Sequence, residues 1–310
     1  DGQNEVCHVV GNALFTSYHT RPGGTRQDVL AVLWGQEPVF RLNDEAMGWL
    51  ERTSLPAPLR KRLVLALPWE RDLTAAELQG HLTAAEVTLG RQQQQQVWDA
   101  LAVAAYHAQN DVPSVEWLLS DDATVYDHLS AGHGLCWVHD WRHYAKLRPV
   151  LACHQRLLVE YRTDYWRLYR GLLAYREAPS AEERARLRDA FDTLIDRETG
   201  YAALDERISK TADKRAQLLA VLELPELPLH NNDMELAARR RVRKRDVSFG
   251  PQSRAGARAW DSFQTIAATA AKLGVGLFHY LRDRLVSPET TPSLAERIAE
   301  RSTLAAQPAG

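Results

Sequence analysis

Two carboxylates and a run of arginines carry the chemistry that this sequence could do. Glu235 lies in Leu229-His-Asn-Asn-Asp-Met-Glu-Leu-Ala-Ala-Arg-Arg-Arg-Val-Arg-Lys-Arg-Asp-Val-Ser-Phe-Gly250, on the first turns of a helix that Asn231 or Asn232 can cap. Between Ala238 and Arg258 come eight basic residues, Arg239, Arg240, Arg241, Arg243, Lys244, Arg245, Arg254 and Arg258, against the single acid Asp246. A solvated helix face usually mixes signs, and this segment does not. A carboxylate beside a basic track suits an enzyme that holds a metal ion against a phosphodiester backbone. The plainer alternative is a capped helix followed by a charged loop. Asp121 is the second acid, at the end of Val115-Glu-Trp-Leu-Leu-Ser-Asp-Asp122. That short apolar run reads as a buried strand whose C-terminal end presents carboxylates. Its alternative is that Asp121 or Asp122 merely caps the next helix.

A third cluster, Cys136-Trp-Val-His139 with His143 one turn later, has zinc-like spacing. No second cluster completes four ligands, and Asp140 is not the Glu of a His-Glu-x-x-His motif. A buried strand end with ordinary packing explains the same residues. No Ser-His-Asp constellation, nucleotide-binding Gly-rich loop or other cofactor motif stands out.

Elements must position these groups. Glu5 to Thr20 reads as a hairpin around Gly11-Asn12, and Thr25 can cap a short helix through Val32. A long helix is predicted from Thr83 to Gln109, with Thr83-Ala-Ala-Glu86 as its capping box and Gln92 to Gln96 as a polar face. After the Val115 strand, a short helix over Ala123 to Ser130 and a turn at His133-Gly134 lead to a strand, Leu135 to Val138. A helix from His139 to Leu147 follows. The strand, acid, helix, strand, helix order is what a mixed α/β sheet requires. Leu157, Leu158, Tyr161, Tyr165, Leu168 and Leu172 form one helical stripe. Pro179-Ser180 starts a second helix, striped by Leu187, Phe191 and Leu194, and another runs from Ala259 to Lys272.

The set Asn231-Asn-Asp-Met-Glu235, Arg239, Ser248-Phe-Gly-Pro-Gln-Ser-Arg-Ala-Gly256, Lys272-Leu-Gly-Val275 and Tyr280-Leu-Arg-Asp-Arg284 resembles the carboxyl end of insertion-sequence-66 family DDE transposases. The resemblance also covers the opening hairpin and Trp117 to Leu147. It implies that Glu235, in the family's Asn-Asn-x-x-Glu motif, is the last catalytic acid. Leu118-Leu-Ser-Asp-Asp-Ala-Thr-Val-Tyr126 is similar to the family's strand-Asp-x-x-x-x-Tyr pattern, which puts Asp121 on a catalytic position and Asp122 where Gly is frequent. Cys136, Trp137, His139 and Arg142 meet its Cys-Trp-x-His-x-x-Arg signature. By placement, His139 and Arg142 would steady the scissile phosphate, with Asn231 and Asn232 as further support.

The implied fold is α/β, an RNase H-like mixed sheet with helical insertions, helix-rich overall. Residues 1–36 would start the core, 37–113 form a mostly helical insertion and 114–150 return to the core with Asp121. Residues 151–228 would form a helical arm, 229–286 the C-terminal core with Glu235 and the basic segment, and 287–310 a loose tail. The implied activity is cleavage of phosphodiesters at the ends of a mobile element and joining of the 3′-hydroxyl to target DNA. Asp121 and Glu235 would hold Mg²⁺ or Mn²⁺, while Arg239, Arg240, Arg241, Arg243, Lys244, Arg245 and Arg254 would bind DNA, with the protein a homo-oligomer on it. One departure matters. The family's first catalytic Asp sits on the strand before the hairpin, and no residue here matches it, because Asp1 falls in the turn after that strand. That strand and its acid are expected upstream of Asp1, so the chain as given is expected to lack a metal ligand. A rival expectation is a truncated, non-catalytic DNA-binding or assembly fragment. Another is an unrelated helical, zinc-stabilised interaction protein.

Composition sets outer bounds. The 310 residues are 45% hydrophobic and 25% charged, ordinary for a globular protein, so the length allows one large domain or two. Net charge is −2, which leaves any nucleic-acid contact to local patches. No apolar run spans a bilayer and no signal-peptide pattern opens the chain. Three cysteines are too few and oddly numbered for a disulfide framework, so a reducing cytoplasm is the expected compartment.

Overall fold

The computed structural model describes residues 5–288 and 290–305. In chain order the elements are β1 (Val6–Gly11), β2 (Thr16–Arg21), α1 (Arg26–Trp34), β3 (Phe40–Arg41), α2 (Asp44–Arg52), α3 (Ala57–Ala66), β4 (Asp72–Leu73), α4 (Ala75–Ala84) and α5 (Arg91–Ala108). Then come β5 (Trp117–Ser120), β6 (Gly132–Leu135), α6 (Trp137–Tyr144), α7 (Ala152–Glu177), α8 (Ala181–Ile195), α9 (Ala202–Ala212) and α10 (Arg215–Leu218). The chain closes with α11 (Asn232–Ser248), α12 (Arg254–Lys272), α13 (Leu277–Val286) and α14 (Leu294–Ala305). At 61% helix and 9% strand the protein is helix-rich with small sheets, compatible with an α/β fold. The described strands pair only in twos: β1 with β2 and β3 with β4 antiparallel, β5 with β6 parallel. The chain divides into two compact units, one of residues 1–32 and 232–310, the other of residues 33–231.

In the first unit, the hairpin forms where Gly11-Asn12 predicts it. Asn12 Oδ1 accepts the N–H groups of Leu14 (2.8 Å) and Phe15 (3.2 Å), closing the turn through the side chain. The outer edge of β2 is taken up by α12. The N–H groups of Thr16, Tyr18 and Thr20 donate to Thr269 Oγ1 (3.3 Å), Thr265 Oγ1 (3.0 Å) and Asp261 Oδ2 (2.7 Å). Steps of two along a strand thus match steps of four along a helix, and polar side chains satisfy an edge that would otherwise invite another strand. The expected loose tail is instead helical over Leu294–Ala305. Ser293 and Glu296 form a reciprocal cap (2.6 and 3.1 Å), and Leu294 packs with Ala270 and Leu273.

In the second unit, the predicted stripes hold the core. Tyr161, Tyr165, Leu168 and Leu172 of α7 meet Leu187, Phe191 and Leu194 of α8 and Trp137 and Tyr144 of α6. This core carries polar side chains that pair with one another. Buried Asp140 pairs with Arg207 (2.7 Å) and accepts from the Tyr165 hydroxyl (3.1 Å), and Tyr144 shares a hydrogen bond with Thr211 (2.6 Å). Burial, with Asp140 close by, pushes the Tyr144 phenol up to about 12.

Two predicted elements shift. The helix expected from Thr83 to Gln109 is two helices, because the capping box belongs to Thr74 and Glu77 at the start of α4. Glu86 is instead a left-handed residue (φ 54°) that ends α4, where the Val87 N–H reaches back to Leu82 O (2.8 Å). The strand expected at Leu135 to Val138 lies at Gly132–Leu135, and the helix expected from His139 begins at Trp137. Gly132 and Gly134 are strand residues because the chain is crowded there. A Cβ on Gly132 would meet the Trp117 indole at 2.4 Å, and one on Gly134 would meet Leu227 at 2.6 Å.

Candidate functional site

The end of β5 is tied into the second unit by backbone bonds. Cys136 N–H donates to Ser120 O (2.9 Å), and Trp137 N–H donates to Leu229 O (3.0 Å). Ser120, the residue before Asp121, is thus tied to Leu229 through Cys136 and Trp137. Asp121 is half-buried, and its Oδ1 accepts the Ala123 N–H (3.3 Å), an Asx-type turn. Tyr126 stands close enough that burial first and the Asp121 charge second push its phenol up.

Asp122 has a different environment. Burial alone would raise its carboxyl, but the hydrogen bond and charge of Lys214, helped by His143 at 3.4 Å, hold it below the usual carboxylate range. Lys214 gave no sign of this in the sequence, 92 positions away. His133 sits beside the same strand end, with Nε2 against Ser120 Oγ (2.8 Å) and Nδ1 3.9 Å from Asp127, and burial lowers its pKa.

The predicted supporting residues pair with each other, as Arg142 donates to His139 Nε2 (2.6 Å). Cys136 is buried at the start of α6 and His143 faces Asp122, so Cys136, His139 and His143 do not converge on a zinc. Among the described residues no three His, Cys, Asp or Glu side chains form a group that could hold a metal.

α11 runs through the whole basic segment. The predicted cap at Asn231 is not made: its Oδ1 is buried without a hydrogen-bond partner among the described residues, and Asn232 is already helical. Half-buried Glu235 shares a stripe with Arg239 and Arg243, since residues four apart stack on one helix face. Arg239, Arg240, Arg243 and Lys244 are exposed and make no ion pair with described residues, while Arg245 lies 3.8 Å from Asp246. Arg254 and Arg258 are exposed on α12.

Arg241 corrects the expectation of a DNA contact. It is 6% exposed, pairs with Asp261 (2.6 Å), donates to Thr20 Oγ1 (2.9 Å) and Gln264, and lies 3.7 Å over the Trp260 ring. The reason is geometric: two residues from Arg239 and Arg243, it points to the opposite side of the helix, inward.

The donor chemistry suits a hard cation in type. Mg²⁺ asks for one or two carboxylates with water and phosphate oxygens, and Asp121 and Glu235 are such carboxylates. The Asn231 Oδ1, without a hydrogen-bond partner among the described residues, is a further hard oxygen four positions before Glu235 in sequence.

No family model matches the chain, and no solved structure matches it. A curated protein of Sinorhizobium fredii (strain NBRC 101917 / NGR234), described as the uncharacterized protein y4jO, is 30% identical over 277 residues, covering 89% of this chain and 85% of that protein.

Proposed function

The chain belongs to one family with that Sinorhizobium fredii protein, and we propose that it is a DDE-type transposase with an RNase H-like core, acting on DNA in the cytoplasm as a homo-oligomer. The observation that carries this reading is the stripe of α11, on which Glu235 is in line with two exposed arginines that lack an ion pair among the described residues. On this reading Asp121 and Glu235 hold Mg²⁺ or Mn²⁺. Such an ion would polarise the phosphodiester and favour an oxygen nucleophile. Arg239, Arg240, Arg243, Lys244, Arg245 and Arg254 bind backbone phosphates, and Arg142, oriented by His139, steadies the phosphate to be cut. Lys214 keeps Asp122 engaged, so Asp121 is the acid of the pair left to meet the ion.

No helix among the described residues is long and apolar enough to cross a membrane. The second reading, a DNA-binding assembly protein without cleavage, is favoured by the absence of a three-donor metal group among the described residues. Incubation of the protein, together with any residues encoded before Asp1, with supercoiled plasmid in Mg²⁺ and Mn²⁺ separates the two. Metal-dependent nicking that Glu235→Gln abolishes is expected; plasmid binding without nicking would leave only the assembly role.

A further inference from the structure

We propose that Phe249 is a stacking side chain for an unpaired DNA base, an inference that rests on the DNA reading above. Phe249 lies between α11 and α12 with its residue 86% exposed, and it makes no ring contact with a described aromatic. Its backbone is left-handed, φ 59°, as is that of Gly250, φ 68°. For glycine that conformation is ordinary; for a bulky aromatic it is an outlier, and such outliers concentrate where function holds them.

The loop is braced in this shape. Gln252 Nε2 donates to the carbonyls of Phe249 (3.1 Å) and Gly250 (3.3 Å), Ser248 Oγ donates to Lys244 O (2.8 Å), and Ser253 caps α12 through the Gly256 N–H (3.1 Å). A Cβ at Gly250 would sit 3.0 Å from Arg245 Cγ, so the turn packs closely under that arginine stem. A phenyl ring that contributes nothing to the core is thus held outward on strained backbone.

The charge around the ring decides what it meets. Arg243, Lys244 and Arg245 precede it, Arg254 and Arg258 follow it, and Asp246 is the single acid between Ala238 and Arg258. One flat apolar face among cations matches a nucleotide, with the ring on the base and the cations on its phosphates. A paired base hides both faces in the stack, so the ring selects bases that are unpaired, as at frayed or cut ends. Among the described residues the exposed apolar side chain nearest to it along the chain is Val247, 84% exposed.

The test compares a blunt duplex with the same duplex carrying a single-stranded 3′ overhang, titrated with the full chain by fluorescence anisotropy. The wild type is expected to favour the overhang by about tenfold or more. Phe249→Gly should lose that preference, bind the blunt duplex like the wild type, and unfold at no lower temperature because the backbone strain is relieved. Phe249→Trp should keep it, and 2-aminopurine in the overhang should be quenched by the wild type and by Phe249→Trp but not by Phe249→Gly. A Phe249→Gly variant that keeps the preference overturns the proposal and leaves the DNA reading intact. Equal loss on both duplexes also overturns it, because Phe249 would then shape the basic loop. A wild type that binds neither duplex removes the DNA reading and this proposal together.

Discussion

Arg241 and Arg243 stand two residues apart on α11, and their surroundings share almost nothing. The inner face of the helix buries Arg241 against Asp261, Gln264, Thr20 and Trp260, with Ala237 one turn before it. The outer face carries Glu235, Arg239 and Arg243, and its cations are exposed. A guanidinium out of water needs a carboxylate and several acceptors to offset its desolvation, and every such partner is found on the inside. The outer Arg239 and Arg243 make no ion pair with described residues. Charge that the fold has already neutralised is structural, and charge left open can meet a ligand. The same division separates Asp122, engaged by Lys214, from Asp121 one residue earlier, which turns a single oxygen to its own loop.

The sharpest way to break this comparison is through the outer carboxylate. Glu235→Gln and Asp121→Asn each keep size and delete the charge a hard cation needs, so nicking should fall to background while urea unfolding stays within about 0.5 kcal/mol. Nicking that survives either change would remove that acid from the site.

Next in size is the inner face. Arg241→Ala strands Asp261 in a site that was 8% exposed, and the loss should be about 3–5 kcal/mol in denaturant unfolding. A loss under about 1 kcal/mol would mean that Arg241 is no more structural than its neighbours.

Arg239→Ala with Arg243→Ala should be the mirror image. Unfolding should barely change, and the slope of log K against log salt for DNA should flatten by about 0.9 per lost contact. An unchanged slope would put these side chains off the DNA.

The smallest effect concerns thiols. Cys7 lies beside the inner ion pair; burial raises its pKa, and the Arg241 charge only partly opposes this. At neutral pH, where a raised pKa means less thiolate, a thiol reagent should therefore modify exposed Cys153 well before Cys7. Comparable rates, followed by peptide mapping, would show that the inner face opens readily.

Local signals were legible where the chain supplies them within a few residues. The Asn12 turn, the Ser180 cap and the α7 and α8 stripes follow from spacing and turn chemistry, and each is present. Two misreadings were also local. Thr83-x-x-Glu86 imitates a capping box, but the true one lies nine residues earlier, and the unread Ser293-x-x-Glu296 pair starts a real helix. At Gly132-His-Gly134 the glycines imitate a turn, although they make room in a strand for Trp117 and Leu227, and Leu227 is distant in sequence.

By itself the sequence determined the helical periodicity, the position of a carboxylate at a strand end and of another at the head of a basic helix, and the uneven charge of that helix. These are properties of neighbours, written at intervals of two, three and four residues. Only the tertiary structure decided which charges were already taken. Whether Arg241 or Arg243 is open, and whether Asp121 or Asp122 is engaged, depends on Asp261, Thr20 and Lys214, partners that lie 20, 221 and 92 positions from the residues they hold or far outside any local window. Ion pairing acts across space, and no spacing along the chain records it.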